Sequence, residues 1–180
     1  MGLPVRVADD FEGEFPGASA LATECFLNLA YLGTAMLASL NRVLNGYGIP
    51  SYAGFNALAV LAGAGEPVPP SVVTDRMIVT RPTVTGILST LEKRGLVARS
   101  AHGSDGRMHL VGLTAKGRSS VRRVLPEVHR FENDLFGVLD QGQLRTLLGM
   151  LDTVFERLDR AGTPSPSAFL RNRDHGPGPF

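Results

Sequence analysis

The sequence predicts a mainly α fold with a small β-hairpin wing: a winged helix-turn-helix carried between N- and C-terminal dimerisation helices. Three observations carry that expectation. Apolar residues recur at three- and four-residue steps along several long segments, the mark of amphipathic helices. Near the middle, two strand-like runs flank a polar, glycine-containing connection at residues 101–107. The first long helix and the last two are more apolar than a small central unit covers, so their surplus faces call for a second copy of the chain.

Each element has a local reason. Residues 1–17, with two prolines, three glycines and four acids, read as a flexible arm, and the Pro- and Gly-rich residues 162–180 as a disordered tail. Residues 18–49 form the first dimerisation segment. Its helix places Leu21, Cys25, Leu29, Leu32, Met36, Leu40 and Val43 in one stripe and ends at Gly46 and Gly48. The winged helix-turn-helix is expected over residues 50–113. Ser51 caps its first helix, a Pro-rich turn follows, and Ser71 caps a short second helix over residues 72–77. Thr80 caps the next helix, with Pro82 tolerated in its first turn, and Gly95 ends it. Strands follow at residues 96–100 and 108–113. Residues 114–161 hold two more dimerisation helices. Thr114 caps the first, Pro126 predicts a kink in it, and the second has an apolar seam approaching a seven-residue repeat.

Composition narrows the function. With 43% hydrophobic and 19% charged residues the chain is neither disordered nor fibrous. No apolar run approaches the length of a membrane span, so a soluble, cytoplasmic protein without a membrane partner is expected. Cys25 is the single cysteine, which forbids an intrachain disulfide and a Cys-rich zinc site. The four histidines fall in unrelated elements, so neither a metal nor another cofactor is expected. A net charge of +1 excludes only a uniformly basic nucleic-acid binder. Residues 71–130 hold 11 basic and 4 acidic side chains, whereas residues 1–70 hold 2 and 6, and residues 131–180 hold 5 and 7. The positive lobe coincides with the expected winged helix.

That coincidence points to double-stranded DNA as the partner. A helix beginning at Thr80 is placed to enter a major groove, where Arg81, Pro82, Thr83, Thr85 and Ser89 meet base edges and phosphates. Ser71 on the preceding helix, Arg99 on the first strand, and His102, Ser104, Asp105 and Arg107 in the hairpin loop complete the expected interface.

At this point the chain resembles the MarR (multiple antibiotic resistance regulator) family of winged-helix transcription factors. The resemblance is carried by the stretch over residues 79–99, with its Leu-Glu-Lys-Arg-Gly-Leu-Val turn at 91–97, by Asp105-Gly106-Arg107, and by the Leu-Thr-Ala-Lys-Gly helix start at 113–117. It implies a homodimer whose terminal helices interlock, with two lobes reading a near-palindromic operator, usually to repress it. In that scheme Arg107 matches the minor-groove arginine, Asp105 the wing acid, and Thr80 to Ser89 the recognition helix. Gly106 and Gly86 depart from it, standing where many members carry basic residues.

The family resemblance also implies an effector, often a phenolic or other small lipophilic acid, between the dimer base and the DNA-binding lobe. Tyr47, Tyr52, Phe55 and Phe131 are the candidates to line that cleft. Cys25 sits where the organic-peroxide-sensing branch has its reactive cysteine, although Leu29 occupies the place of that branch's tyrosine. Two alternatives stand beside this reading: a winged-helix protein-interaction module with lost or weak DNA binding, and a Cys25-based organic-peroxide sensor. An enzyme is not expected, because the lone cysteine has no sequence-evident base and no Gly-rich phosphate loop is present.

Overall fold

The computed structural model describes residues 5–77, 81–101 and 109–160. The chain divides into two compact units, Met1–Arg42 and Val43–Phe180.

In the first unit, the stretch expected as a flexible arm is tied down. Residues Phe11–Glu14 form a helical turn, α1, and the rings of Phe11 and Phe15 pack 5.1 Å apart. Helix α2, Ala20–Gly46, holds the chain ahead of that turn. Its buried Asn28 accepts from the Val5 N–H at 3.2 Å and donates back to the Val5 carbonyl at 2.9 Å. Glu24 accepts from the Val7 N–H at 3.1 Å and pairs with Arg6 at 2.8 Å. A carboxylate and an amide thus satisfy backbone groups of Val5 and Val7, in a segment that is neither helix nor strand. Along α2, Leu21, Phe26, Leu29, Tyr31, Leu32 and Leu37 are all exposed. One correction to the sequence reading follows: α2 is long and apolar enough to cross a membrane, with an 18-residue window of mean hydropathy 1.3.

The second unit contains the helix-turn-helix and hairpin. Helix α3, Tyr52–Ala64, is capped by the Ser51 hydroxyl, which accepts from the Gly54 N–H at 3.1 Å, and it ends at Gly65 with φ +74°. Helix α4 runs Pro70–Asp75 with Pro69 as its N-cap, so Ser71 lies inside the first turn and does not cap it. Pro69 already has the extended backbone of a cap, and Pro70 brings the fixed φ that suits the first helical position. Helix α5 spans Arg81–Lys93. Strands β1, Val97–Ala101, and β2, His109–Leu113, pair antiparallel from Val97 opposite Leu113 to Ala101 opposite His109. A third, single-residue rung was not foreseen: Val68, in the Pro-rich turn, exchanges hydrogen bonds of 3.0 and 2.8 Å with Val111.

Leu58, Val73, Val84, Leu88, Leu91, Leu96, Val111 and Val124 are fully buried and form the core under α5 and the hairpin. Thr114 fastens the start of α6, Ala115–Phe136, to that core. Its N–H donates to the Leu96 carbonyl at 3.1 Å, its hydroxyl to the Gly95 carbonyl at 2.7 Å, and the same hydroxyl accepts from the Gly117 N–H at 3.0 Å. Helix α6 runs without interruption through Pro126. Helix α7, Gln141–Arg160, starts with a reciprocal cap in which Asp140 and Gln143 side chains each accept the other's backbone N–H at 2.9 Å. Leu148, Met150, Val154, Phe155 and Leu158 on α7 are exposed.

Candidate nucleic-acid interface

Helix α5 owes its orientation to three side chains. Val84, Leu88 and Leu91, spaced four and three apart, are buried, and so hold one face of the helix against the core. Rotation by 100° per residue then fixes the outward face, which carries Pro82, Gly86 and Lys93 at its centre and Thr85 and Thr90 on its flanks, all of them exposed. Arg81 is exposed at the N-terminal end. Thr83 is exposed as well, whereas Ser89 is half-buried and presents less to a partner than the sequence suggests.

The hydroxyls on this face are partly engaged. Thr85 donates to the Arg81 carbonyl at 3.1 Å and Thr90 to the Gly86 carbonyl at 2.9 Å, each one turn back along the helix. Their oxygens keep lone pairs for an incoming donor, but their protons are committed to the backbone. Ser71 is exposed on α4. Arg99, exposed on β1, pairs with Glu92 of α5 at 3.5 Å. A solvated pair of this kind is weak and exchanges readily for a phosphate. Thr80, His102, Ser104, Asp105 and Arg107 lie outside the described residues.

Several cations counted toward the positive lobe have structural duties. Lys116 donates to the Arg94 carbonyl at 2.7 Å, Arg118 to the Leu113 carbonyl at 2.9 Å, and Arg94 to the Gly48 carbonyl at 3.5 Å. The Arg123 guanidinium lies 5.7 Å from the centre of the Tyr47 ring. These bonds occupy carbonyls at or just past the end of a helix or strand and leave positive charge at the surface.

The aromatic residues proposed for an effector differ in burial. Phe55 is buried in the core, Tyr47 is half-buried beneath Arg123, Phe131 is half-buried on α6 and Tyr52 is exposed. Cys25 is exposed on α2. A different cavity, of about 450 Å³, opens where the end of α3, the base of the hairpin and the first turns of α6 meet. Leu61, Pro67, Leu113 and Val121 give it apolar walls, and Arg118, Arg122 and Glu66 line it with charge of both signs, two cations to one carboxylate. The Val68–Val111 rung shapes it by laying Pro67 across Gly112, where an added Cβ would come within 2.9 Å of the proline ring. Among the described residues, no cluster of three His, Cys, Asp or Glu side chains is arranged to hold a metal.

A buried-faced helix following a short helix and turn, and followed by an antiparallel hairpin, defines a winged helix-turn-helix DNA-binding lobe. The family model described as the MarR family matches residues 51–108. The chain is 28% identical over 76 residues to YwaE of Bacillus subtilis, an HTH-type transcriptional regulator, a match that covers 42% of this chain and less than half, 44%, of that protein. It is 25% identical over 147 residues, 82% of each chain, to the transcriptional repressor MprA of Escherichia coli. Among solved structures, the organohalide-sensing transcriptional regulator RdhR in its 2,4-dichlorophenol-bound form superposes with a TM-score of 0.73 at 17% identity, covering 87% of this chain and 89% of that one. Residues 51–108 thus match the MarR family, and the relatives matched over more of the chain are transcriptional regulators.

Proposed function

We propose that this regulator is a homodimeric repressor that binds a near-palindromic operator and leaves it when a small lipophilic anion fills the cavity between α3, the hairpin base and α6. The observation that carries the DNA reading is the division of α5: an apolar face locked by Val84, Leu88 and Leu91, and an exposed face of Arg81, Pro82, Thr83, Thr85 and Lys93 with nothing bulky between them. Helix α5 enters the major groove. Ser71 and Arg99 contact the flanking phosphates, and His102, Ser104, Asp105 and Arg107 place the loop between β1 and β2 in the adjacent minor groove. Homology to a protein named as a repressor supports the direction of regulation.

Dimerisation is supported by the exposed apolar residues of α2 and α7, which a second copy of the chain covers. On this reading α2 meets protein and not lipid, and the regulator works in the cytoplasm. The effector proposal rests on the chemistry of the cavity, apolar walls with the two guanidiniums of Arg118 and Arg122 outnumbering the Glu66 carboxylate, and on a fold relative solved with a chlorinated phenol.

Mobility-shift titration over a salt series tests the DNA reading. Specific affinity is expected to fall steeply as salt rises. Arg81→Ala is expected to weaken it by about 5- to 150-fold, the range for loss of one bidentate base contact. Affinity that ignores both salt and the arginine contradicts the proposal.

A further inference from the structure

The exposed face of α5 has a glycine near its middle. Gly86 lies mid-helix with an ordinary helical φ, and a Cβ built on it meets nothing within 4 Å. Glycine there weakens the helix relative to alanine, because it gives the unfolded backbone more freedom. Two glycines of this unit answer an internal demand, Gly95 with φ +68° and Gly117, where a Cβ would sit 2.0 Å from the Leu96 carbonyl oxygen, whereas Gly46 and Gly63 are as unencumbered as Gly86. Nothing inside the fold makes that demand at Gly86. Gly33 and Gly149 are equally unencumbered, and they lie on α2 and α7, the helices assigned to subunit contact. A bare helical position of this kind suits a close approach from outside.

The surroundings indicate what approaches. Gly86 borders a hollow of about 380 Å³ shared with Pro50, Ser51, Thr83, Ile87 and Thr90. The charged side chains of α5 stand toward its two ends, Arg81 at one and Glu92 and Lys93 at the other. Between them lie the Pro82 ring, the missing side chain at Gly86, and Thr85 and Thr90, whose hydroxyl protons are turned back onto helix carbonyls. Thr83 and Ser51 add hydroxyls on one side of the hollow, and the rest of this central patch offers methyl and methylene surface. The group of the major groove that suits it is the 5-methyl of thymine, which is recognised by apolar contact.

We propose that Gly86 is a specificity-determining residue: its bare turn lets the α5 backbone close on the major-groove floor and seats a thymine methyl against the low patch of Pro82, Gly86, Thr85 and Thr90. The inference rests on α5 being the recognition helix. It predicts a residue that costs folding stability and improves operator recognition, two effects that a purely structural glycine does not combine.

The test uses the full-length protein. Duplexes are selected by the wild type from a random pool, and each thymine of the selected half-site is replaced in turn by uracil, which lacks the 5-methyl. Gly86→Ala is expected to melt about 2–4 °C higher than wild type. Its affinity for the selected site is expected to fall about tenfold, while binding to unrelated duplex is unchanged. One uracil replacement per half-site should weaken the wild type about three- to tenfold and barely affect Gly86→Ala. Equal affinity of Gly86→Ala and wild type for the selected site, or no thymine sensitive to uracil replacement, overturns the inference and leaves the DNA reading intact. Failure of the wild type to select any sequence overturns both.

Discussion

Gly117 offers the sharpest stability test. Alanine there would place Cβ 2.0 Å from the Leu96 carbonyl oxygen, 3.0 Å from its carbon and 3.4 Å from Leu113 Cδ2. Relief requires the first turn of α6 to withdraw by roughly 1 Å or more. The obstacle is backbone, and it cannot yield cheaply, because the same Leu96 oxygen accepts the Thr114 N–H at 3.1 Å and its hydroxyl at 3.2 Å. Withdrawal stretches these bonds and the cap from Thr114 to the Gly117 N–H at 3.0 Å. Overpacking costs about 1–3 kcal/mol and a lost cap about 1 kcal/mol, while alanine returns up to about 1 kcal/mol of helix propensity. The net expectation for Gly117→Ala is a loss of about 1.5–3 kcal/mol, or a melting point lowered by roughly 4–10 °C. Urea denaturation at one fixed chain concentration measures it, since subunit association shifts apparent stability. Destabilisation below about 0.5 kcal/mol, the range of an inconsequential surface change, would refute the reasoning.

Three further outcomes follow from the same geometry. Thr114→Val keeps the side-chain shape and removes a hydroxyl that bonds Gly95, Leu96 and Gly117; a loss of about 1–2 kcal/mol is expected in the same denaturation series. Leu148→Asp with Phe155→Asp puts two charges on the exposed apolar face of α7 and should leave a monomer in sedimentation velocity where the wild type sediments as the proposed dimer, with the far-ultraviolet helix signal retained. Arg122→Ala removes one cation from the α3–hairpin–α6 cavity and, on the proposed effector reading, should weaken calorimetric binding of a small lipophilic anion by about 3- to 10-fold without altering operator affinity in its absence.

What was legible in the sequence was what local chemistry decides. Ser51 and Thr114 cap their helices because a hydroxyl ahead of an apolar-periodic run reaches an N–H three residues on, a relation wholly contained in the sequence. Gly95 ends α5 for an equally local reason, its positive φ. Ser71 was misread because a good cap residue followed a better cap geometry, the extended Pro69 ahead of Pro70. The Val68 rung was hidden because its partner, Val111, is 43 residues away and its neighbours are prolines, which signal turns more loudly than strands. The segment before α2 looked loose because its anchors, Asn28 and Glu24, lie on the helix that follows it.

The candidate interface divides in the same way. Helix α5 and its buried stripe are periodic and were readable; the half-burial of Ser89 and the pairing of Arg99 with Glu92 depend on tertiary neighbours and were not. Counting cations along the chain located the positive lobe, but Lys116, Arg118 and Arg94 spend hydrogen bonds on carbonyls from other elements, which no count reveals. The cavity went unforeseen because it is walled by residues from three separated segments, joined only when Pro67 folds over Gly112.

The central claim is that α5 and the hairpin loop read an operator of defined sequence as a symmetric pair. Sequencing the DNA crosslinked to this protein in its host tests that most directly. The account predicts a small set of promoter-proximal sites sharing an inverted repeat, with half-site centres about 10 bp or a multiple apart, and loss of those sites for Arg81→Ala. Recovery of DNA with no shared repeat, or the same sites for Arg81→Ala as for wild type, would contradict it.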